Sequence, residues 1–156
     1  MTSAGVRFAN LADPADDAAI VEILDAYAAG PMGQGRPLSD DVRRQLVAGL
    51  NAHPTAFVLL ACVAGRPVGL AVCFEGFSTF AAKPLINVHD LAVLPEFRNQ
   101  GLGRQLLEAV ADVARERGCC KVTLEVRGDN ESAKRLYERC GFGPWDDVTL
   151  FVAQPL

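Results

Sequence analysis

The chain has 156 residues and a net charge of −4, with half of its residues apolar and 22% charged. This size and balance predict one globular domain, spanning residues 1–156, with a substantial core. The acidic total argues against nucleic acid as a partner, because general nucleic-acid binding needs a basic surface. The longest apolar run, Ala56 to Ala64, is far below the roughly 20 residues of a membrane span, so we expect no membrane partner either.

The first half of the chain predicts a strand, two helices and an antiparallel hairpin. Asp13 and Pro14 are typical of a helix start, and Ser39 is placed to cap a second helix. Three glycines and a proline make residues 30–36 a flexible connection. Two apolar runs that flank Ala64-Gly65-Arg66 predict a β-hairpin. The predicted elements are a strand at 6–10, helices at 14–28 and 40–50, and strands at 56–63 and 67–75.

The second half predicts a central amphipathic helix between two strands, and then a last helix. After a loop at 76–84, a strand is expected at 85–93. The central helix has one apolar stripe, formed by Leu102, Leu106, Val110 and Val113. A strand at 121–126 and a helix from the cap Asn130 to Gly141 follow, with 142–145 and 148–152 as closing strands. This order predicts a mixed sheet, antiparallel first and parallel where the central helix intervenes.

The five cysteines have no spacing typical of metal ligands or of a disulfide framework: Cys62, Cys73, Cys119, Cys120 and Cys140. Residues 1–5 lack the basic and apolar regions of a signal peptide. We therefore expect reduced thiols in a cytoplasmic protein. Because His53 and His89 are the only histidines, we also expect no metal site.

The most informative segment is the glycine-rich turn from Arg98 to Arg104, where the central helix begins. Gly101 and Gly103 keep side chains away from a ligand, so backbone N–H groups can face it directly. These N–H groups belong to a first helical turn, where they lack helical partners and the dipole favours negative charge. The terminal arginines add positive charge, so the turn predicts a phosphate or pyrophosphate site. A helix start without a ligand remains the alternative.

Two other phosphate-binding motifs do not fit this turn. A dinucleotide-binding fingerprint would need a glycine where the chain has Leu106, and it would follow the first strand directly. A P-loop would need Lys-Ser or Lys-Thr after its last glycine, where the chain has Arg104 and Gln105. A different phosphate-bearing ligand is therefore expected.

Two segments together resemble the GCN5-related N-acetyltransferases. Residues Asp90 to Val93 and Pro95 to Gly103 resemble the acetyl-CoA motif of that family. Residues Asn130 to Phe142 resemble its second motif, N-x-x-A-x-x-x-Y-x-x-x-G-F. The resemblance implies a single-domain α/β fold with a mixed central sheet of six to seven strands and about four flanking helices. Splayed strands would form the acetyl-CoA cleft.

The same resemblance implies acetyl-CoA as co-substrate and no metal. The pantetheine arm would bond to a strand backbone, and the diphosphate would lie over the amides of the turn. The expected cofactor-binding residues are Leu91, Ala92, Val93, Arg98, Asn99, Gln100, Gly101, Leu102, Gly103, Arg104, Asn130 and Tyr137. Tyr137 would also donate a proton to the leaving thiolate. Alternatively, it belongs only to the apolar face of its helix.

Within the family, the segment from Phe77 to Leu91 looks most like the diamine acetyltransferases. Those enzymes have a Glu-Asp pair where this chain has His89-Asp90, which leaves a polyamine substrate open. An alkylamine is almost wholly protonated at pH 7, so a base is needed. His89 is the expected base, with Glu75 or a water chain as alternatives. Glu75, His89 and Asp90 are expected to contact the acceptor. Adjacent strand residues point to opposite faces, so His89 and Asp90 cannot act as a pair unless a bulge intervenes.

The sequence therefore predicts an N-acetyltransferase that transfers an acetyl group directly to an amine in a ternary complex. A small-molecule acceptor, polyamine-like or amino-acid-like, is expected first, and a peptide N-terminus or lysine second. The alternative from another class is a non-catalytic sensor that binds acyl-CoA. Because members of the family often form dimers, a homodimer is the candidate assembly.

Overall fold

The computed structural model describes residues 4–145 and 150–156. Its helices and strands are β1 (Ala4–Phe8), α1 (Pro14–Ala29), α2 (Asp40–Ala52), β2 (Ala56–Val63), β3 (Arg66–Ser78), β4 (Lys83–Val93), α3 (Leu102–Glu116), β5 (Val122–Leu124) and α4 (Glu131–Arg139). A 3-10 turn, Pro95–Phe97, joins β4 to α3. The four α-helices match the expected number. None of the helices in these residues combines the length and the hydropathy that crossing a membrane requires.

The strands form one mixed sheet in the order β1-β2-β3-β4-β5. Strands β1 to β4 pair antiparallel, whereas β5 is parallel to β4 because α3 carries the chain back along the sheet. The predicted mixed sheet is thus confirmed. In β2 the successive residues Phe57 to Ala61 are all buried, so helices cover both faces of the sheet.

The expectation of six to seven strands was wrong for the described residues, whose sheet has five. Residues 142–145 form no strand, and Pro144 in this segment has no N–H to donate to a neighbouring strand. Residues 150–152 are also outside any strand, with exposed apolar side chains. Residues 148 and 149 of the predicted last strand lie outside the described residues. An apolar run forms a strand only beside a strand edge that accepts its hydrogen bonds, which the pattern alone does not specify.

Strands β3 and β4 continue into residues 76–84, which the sequence predicted to be a loop. Their register extends to the pair Ser78 and Lys83. Phe77 and Phe80 are exposed near the tip of this two-stranded ribbon. The ribbon is held by its own cross-strand hydrogen bonds, so its sequence lacks the alternating apolar pattern that predicts a strand with one buried face.

Strands β4 and β5 pair over three residues only, with Ile86 to Val88 beside Val122 to Leu124. Strand β4 continues to Val93, whereas β5 ends at Leu124, short of the predicted 126. The backbone of β4 beyond Val88 therefore has a strand neighbour on the β3 side alone. A cleft lies beside this unpaired end of β4, and its lining contains Leu91, Ala92 and Val93.

Helix α3 fixes one wall of this cleft. Its predicted apolar stripe is confirmed, since Leu102, Leu106, Val110 and Val113 are all buried. The helix packs against all five strands of the sheet. The core therefore holds the start of α3 rigidly beside the end of β4.

A buried carboxylate joins β1 to the start of α1. The two carboxylate oxygens of Asp16 accept hydrogen bonds from the Arg7 guanidinium at 2.6 and 2.8 Å, and one also accepts the Asn10 N–H at 2.7 Å. The Asp16 side chain is 4% exposed, and that of Arg7 is 48% exposed. The hydrogen bonds from Arg7 lower the pKa of Asp16, more than burial raises it. The ionised pair therefore stabilises the fold above the pKa of the unfolded carboxyl.

Asp16→Asn is expected to lower the free energy of unfolding at pH 7 by about 2–3 kcal/mol, because Arg7 loses its charged partner. The depressed pKa means that this stability is lost as pH falls through the folded-state pKa, so the difference between the two proteins should be full at pH 7 and shrink as pH falls below about 4, the pKa of the unfolded carboxyl. Urea unfolding over this pH range checks this. Asp112→Asn, which opens an exposed pair with Arg115, should cost about 0.5 kcal/mol or less. Equal losses from both substitutions would contradict the assignment.

Candidate functional site

The cleft holds a cavity of about 650 Å³. It lies between the end of β4, the start of α3, helix α4 and the C-terminal end of α1. Its lining residues are Tyr27, Gly30, Pro31, Met32, Leu91, Ala92, Val93, Phe97, Arg98, Asn99, Gly101, Leu102, Gly103, Arg104, Asn130, Ser132, Ala133, Leu136, Tyr137 and Arg139. Every predicted cofactor-binding residue except Gln100 is among them. The structure thus brings the two sequence motifs to opposite sides of one cavity.

Helix α3 begins differently from the other three helices. Asp13, Ser39 and Asn130 each accept a first-turn N–H through their side chains at the starts of α1, α2 and α4. Helix α3 begins instead at Gly101, which offers no side-chain cap, and its first turn has no acidic residue. The free N–H groups of this turn therefore lie at the cavity wall, where an anion can accept them.

The backbone of the turn explains its two glycines. Gly101 has a φ of 81°, in the left-handed region that glycine adopts without strain. A Cβ at Gly103 would lie 3.0 Å from the side chain of Leu136 on α4, so glycine lets α3 and α4 approach each other. Asn99 is also left-handed, with a φ of 60°. Such backbone strain in a residue other than glycine is often found where a ligand binds.

Two arginines of the turn line the cavity, and Arg104 is paired with a carboxylate. The Arg98 Nε donates to the Val93 carbonyl at 3.0 Å, which ties the turn to the end of β4. The Arg104 Nε donates to Glu108 at 2.7 Å along the exposed side of α3. The Gln100 side chain bonds to the Glu96 carbonyl at 3.3 Å and lies outside the lining.

Tyr137 reaches the cavity from the buried face of α4. Its ring packs against Phe142, with the centroids 5.8 Å apart. Burial raises the pKa of Tyr137 to about 12, and the neighbouring phenol of Tyr27 contributes. The hydroxyl therefore keeps its proton throughout the neutral range, as a hydrogen-bond donor must.

A β-bulge lies in β4 beside the cavity. Val72 pairs with Asp90, but the next residue, Cys73, pairs with Val88, so His89 is the extra residue. The bulge breaks the simple alternation of side chains at His89 and Asp90. The His89 ring lies exposed, edge-on against Phe74 at 5.5 Å. His89 therefore lies outside the cavity lining, next to it on the same strand.

Glu75 lies away from these residues. Its carboxylate accepts a hydrogen bond from Arg117, at the end of α3, at 3.1 Å. Phe74, which contacts His89, precedes Glu75 in β3, so the two side chains point to opposite faces of the sheet. The structure does not bring Glu75 and His89 together.

Asp90 differs from three other carboxylates that are buried or half-buried. Asp16, Asp25 and Glu75 each pair with an arginine. The half-buried Asp90 carboxylate has no hydrogen bond or ion pair with the described residues. Burial raises the pKa of Asp90, and the adjacent His89 lowers it when charged. Burial raises the pKa of Tyr27, and the charge of Asp90 raises it further, so the two groups are close together.

The sequence interpretation assigned acceptor specificity to the first two helices and their connection but named none of the residues of α1 and this connection that line the cavity. Tyr27, Pro31 and Met32 line the cavity. The connection, predicted to be flexible, packs tightly: a Cβ at Gly33 would lie 2.3 Å from the Tyr27 carbonyl oxygen. The Gln34 N–H also donates to the Ala28 carbonyl at 2.9 Å. The sequence signal for this wall was the pair of apolar residues Pro31 and Met32 between Gly30 and Gly33.

The chain matches the model of the acetyltransferase (GNAT) family over residues 20–142. An uncharacterized N-acetyltransferase of Archaeoglobus fulgidus is 38% identical over 51% of this chain and 55% of its own length. A thialysine N-epsilon-acetyltransferase of Bos taurus is 35% identical over 47% of this chain and 43% of its own. The chain thus spans about half the length of these relatives.

Solved structures agree on the fold. An aminoglycoside acetyltransferase from an uncultured soil metagenomic sample, in complex with sisomicin, superposes with a TM-score of 0.80. The superposition covers 98% of this chain and 97% of that one, at 18% identity. At this identity the likeness concerns the fold alone.

Proposed function

The chain belongs to the GNAT family of acetyltransferases, and from this premise we propose that it transfers the acetyl group of acetyl-CoA to a small-molecule amine. One observation carries the proposal. The uncapped start of α3 opens into a cavity that also contains Tyr137 and the partnerless edge of β4. A thioester that carries a diphosphate requires an anion site, a hydrogen-bond donor to the leaving thiolate, and a strand edge for its amides.

The residues present fit acetyl-CoA along its whole reactive arm. The diphosphate accepts the free N–H groups at Gly103 and Arg104, and the helix dipole favours its charge. The two amides of pantetheine pair with the backbone of Leu91 and Val93, because β5 ends before it could occupy that edge. The thioester then lies near Tyr137, and a backbone N–H near Leu91 can polarise its carbonyl.

The acceptor amine binds at the Tyr27 end of the cavity, beside Asp90, which precedes the lining residue Leu91 but is not itself in the lining. A half-buried carboxylate without a cation has lost part of its hydration, and an ammonium group supplies a partner. The amine must lose a proton before its lone pair attacks the thioester carbonyl. Asp90 or the exposed His89 can pass that proton to solvent. The attack forms the C–N bond of the amide, and the C–S bond breaks with its electrons leaving on the thiolate. The attacking nitrogen releases its second proton to solvent, and the Tyr137 hydroxyl donates a hydrogen bond to the thiolate.

Two expectations from the sequence accompany this proposal. A reducing compartment such as the cytoplasm suits a chain whose five cysteines are all free. A homodimer remains the proposed assembly, and size-exclusion chromatography with light scattering measures it.

A test combines calorimetry with an amine panel. Coenzyme A should bind with measurable heat. Free thiol should then be released from acetyl-CoA with at least one of spermidine, thialysine or an amino acid. A peptide with a free N-terminus represents the protein-acceptor alternative. Binding without thiol release on any amine would favour a sensor, and absence of binding would overturn the proposal.

A further inference from the structure

An arginine with no partner among the described residues lies where α4 ends, and the inference drawn from it rests on the proposed function. Arg139, in the last turn of α4, lines the main cavity. It also lines an adjoining hollow of about 430 Å³ between α3 and α4, together with Leu107, Glu108, Ala111, Asp112, Arg115 and Cys140. Arg139 therefore marks the passage from the cavity to this hollow.

The charges around Arg139 are otherwise balanced in pairs. Arg104 pairs with Glu108 at 2.7 Å, and Arg115 pairs with Asp112 at 2.7 Å. Arg139 has no ion pair or side-chain hydrogen bond with the described residues. The passage thus carries one uncompensated positive charge.

Arg104 and Arg139 lie close to each other at this passage. Both lower the pKa of the Cys140 thiol, although its burial and Glu108 raise it by more. Arg104 belongs to the turn that receives the diphosphate, so Arg139 lies just beyond the diphosphate. Tyr137 and Arg139 are two positions apart, roughly 200° around the helix, and so serve different sides of α4.

The direction of the bound molecule follows from these positions. Its pantetheine arm runs from the α3 start toward Leu91 and Tyr137, so its nucleoside must leave the diphosphate on the other side. That side leads to Arg139. Coenzyme A carries a phosphomonoester on the 3′ oxygen of its ribose, with up to two negative charges. A guanidinium can bind such a group through two parallel N–H donors.

We infer that Arg139 binds the 3′-phosphate of coenzyme A and makes the protein select the full cofactor over its 3′-dephospho form. The site takes a ribose phosphomonoester. Arg104 then binds the diphosphate. Its ion pair with Glu108 weakens any contact of Arg104 with the 3′-phosphate.

Calorimetry with coenzyme A and 3′-dephospho-coenzyme A tests this inference. The unaltered chain should bind coenzyme A roughly 10- to 100-fold more tightly, the range for one charge-assisted hydrogen-bonded contact. In Arg139→Gln this preference should fall to about 3-fold or less, because only the phosphate contact is lost. Its Kd for the dephospho form and its melting temperature should stay unchanged. Arg135→Gln, an exposed arginine on the same helix outside both hollows, should keep the full preference.

Three outcomes would overturn the inference. They are equal affinity of the unaltered chain for both ligands, equal weakening of both ligands by Arg139→Gln, or the same loss of preference in Arg135→Gln. If neither ligand binds the unaltered chain, the proposed function itself fails. If both bind with equal affinity, only the role of Arg139 fails.

Discussion

Tyr137→Phe is expected to lower kcat roughly 10²- to 10³-fold, or about 3–4 kcal/mol of transition-state stabilisation. A phenol whose pKa is about 12 is a weaker acid than a thiol near 8.5, so complete proton transfer to the thiolate would be uphill. Tyr137 instead acts by a short hydrogen bond that strengthens as negative charge forms on sulfur. Phenylalanine keeps the ring packing against Phe142 but loses this donor. Steady-state rates at saturating acetyl-CoA measure the effect.

The matched control for this substitution is the other tyrosine of the cavity. Tyr27→Phe should change kcat by less than about 10-fold, because Tyr27 lies beside Asp90 and not at the sulfur. The Kd for coenzyme A should be unchanged in both variants. A Tyr137→Phe protein with an unchanged kcat would remove Tyr137 from the chemistry and leave it as part of the helix face. Since the pKa of Tyr137 is about 12, no alkaline loss of rate below about pH 10 should come from this group.

Asp90→Asn is expected to lower kcat/KM for the amine roughly 10²- to 10³-fold, the range for removing one partner of an enclosed charge pair. The same change should leave the chain as stable or more stable at pH 7. Burial raises the pKa of Asp90 in the folded state, so the ionised carboxylate destabilises the fold above the pKa of the unfolded chain. That penalty disappears as pH falls, and asparagine never has it. Initial rates and melting temperatures at pH 7 and about pH 4 measure both effects.

A loss of kcat/KM without a loss of stability in Asp90→Asn distinguishes a binding role from a structural one. A carboxylate that merely supports the fold would lose stability and activity together on substitution. Glu75→Gln is the control, since Glu75 is a half-buried carboxylate that is already paired with Arg117 at the end of α3. It should retain kcat/KM and lose a little stability. Wild-type kcat/KM in Asp90→Asn, or an equal loss in Glu75→Gln, would contradict the proposed role.

The parts of the fold that depend on local pattern were predictable from the sequence. The caps at Asp13, Ser39 and Asn130 marked three helix starts, and the apolar stripe of α3 marked its buried face. The turn at Gly101 was predicted to be an anion site because the first-turn amides of a helix lack helical partners, and glycine leaves them accessible, in any fold. The cavity residues near that turn followed directly from it.

The parts that depend on pairing across the sheet were not predictable. Strand alternation placed His89 and Asp90 on opposite faces, but the extra residue at His89 changes that relation. The Arg117 partner of Glu75 is 42 positions away along the chain, so no local pattern reveals it. The contribution of Tyr27 and Met32 required knowing how α1 packs beside β4. These are long-range contacts, which the sequence specifies only through the complete fold.

The single inserted residue in β4 has a wider consequence for the chemistry. After His89, each N–H and C=O group of β4 points to the side of the strand opposite to the one it would have in an uninterrupted strand. The insertion therefore decides which amide protons of residues 90–93 look into the cleft and which look toward β3. Deleting His89 would restore regular strand alternation. The amide protons that face the cleft would then face β3, and those that face β3 would face the cleft. Amine recognition at Asp90 and thioester docking at residues 91–93 are thus coupled through one irregularity in the backbone.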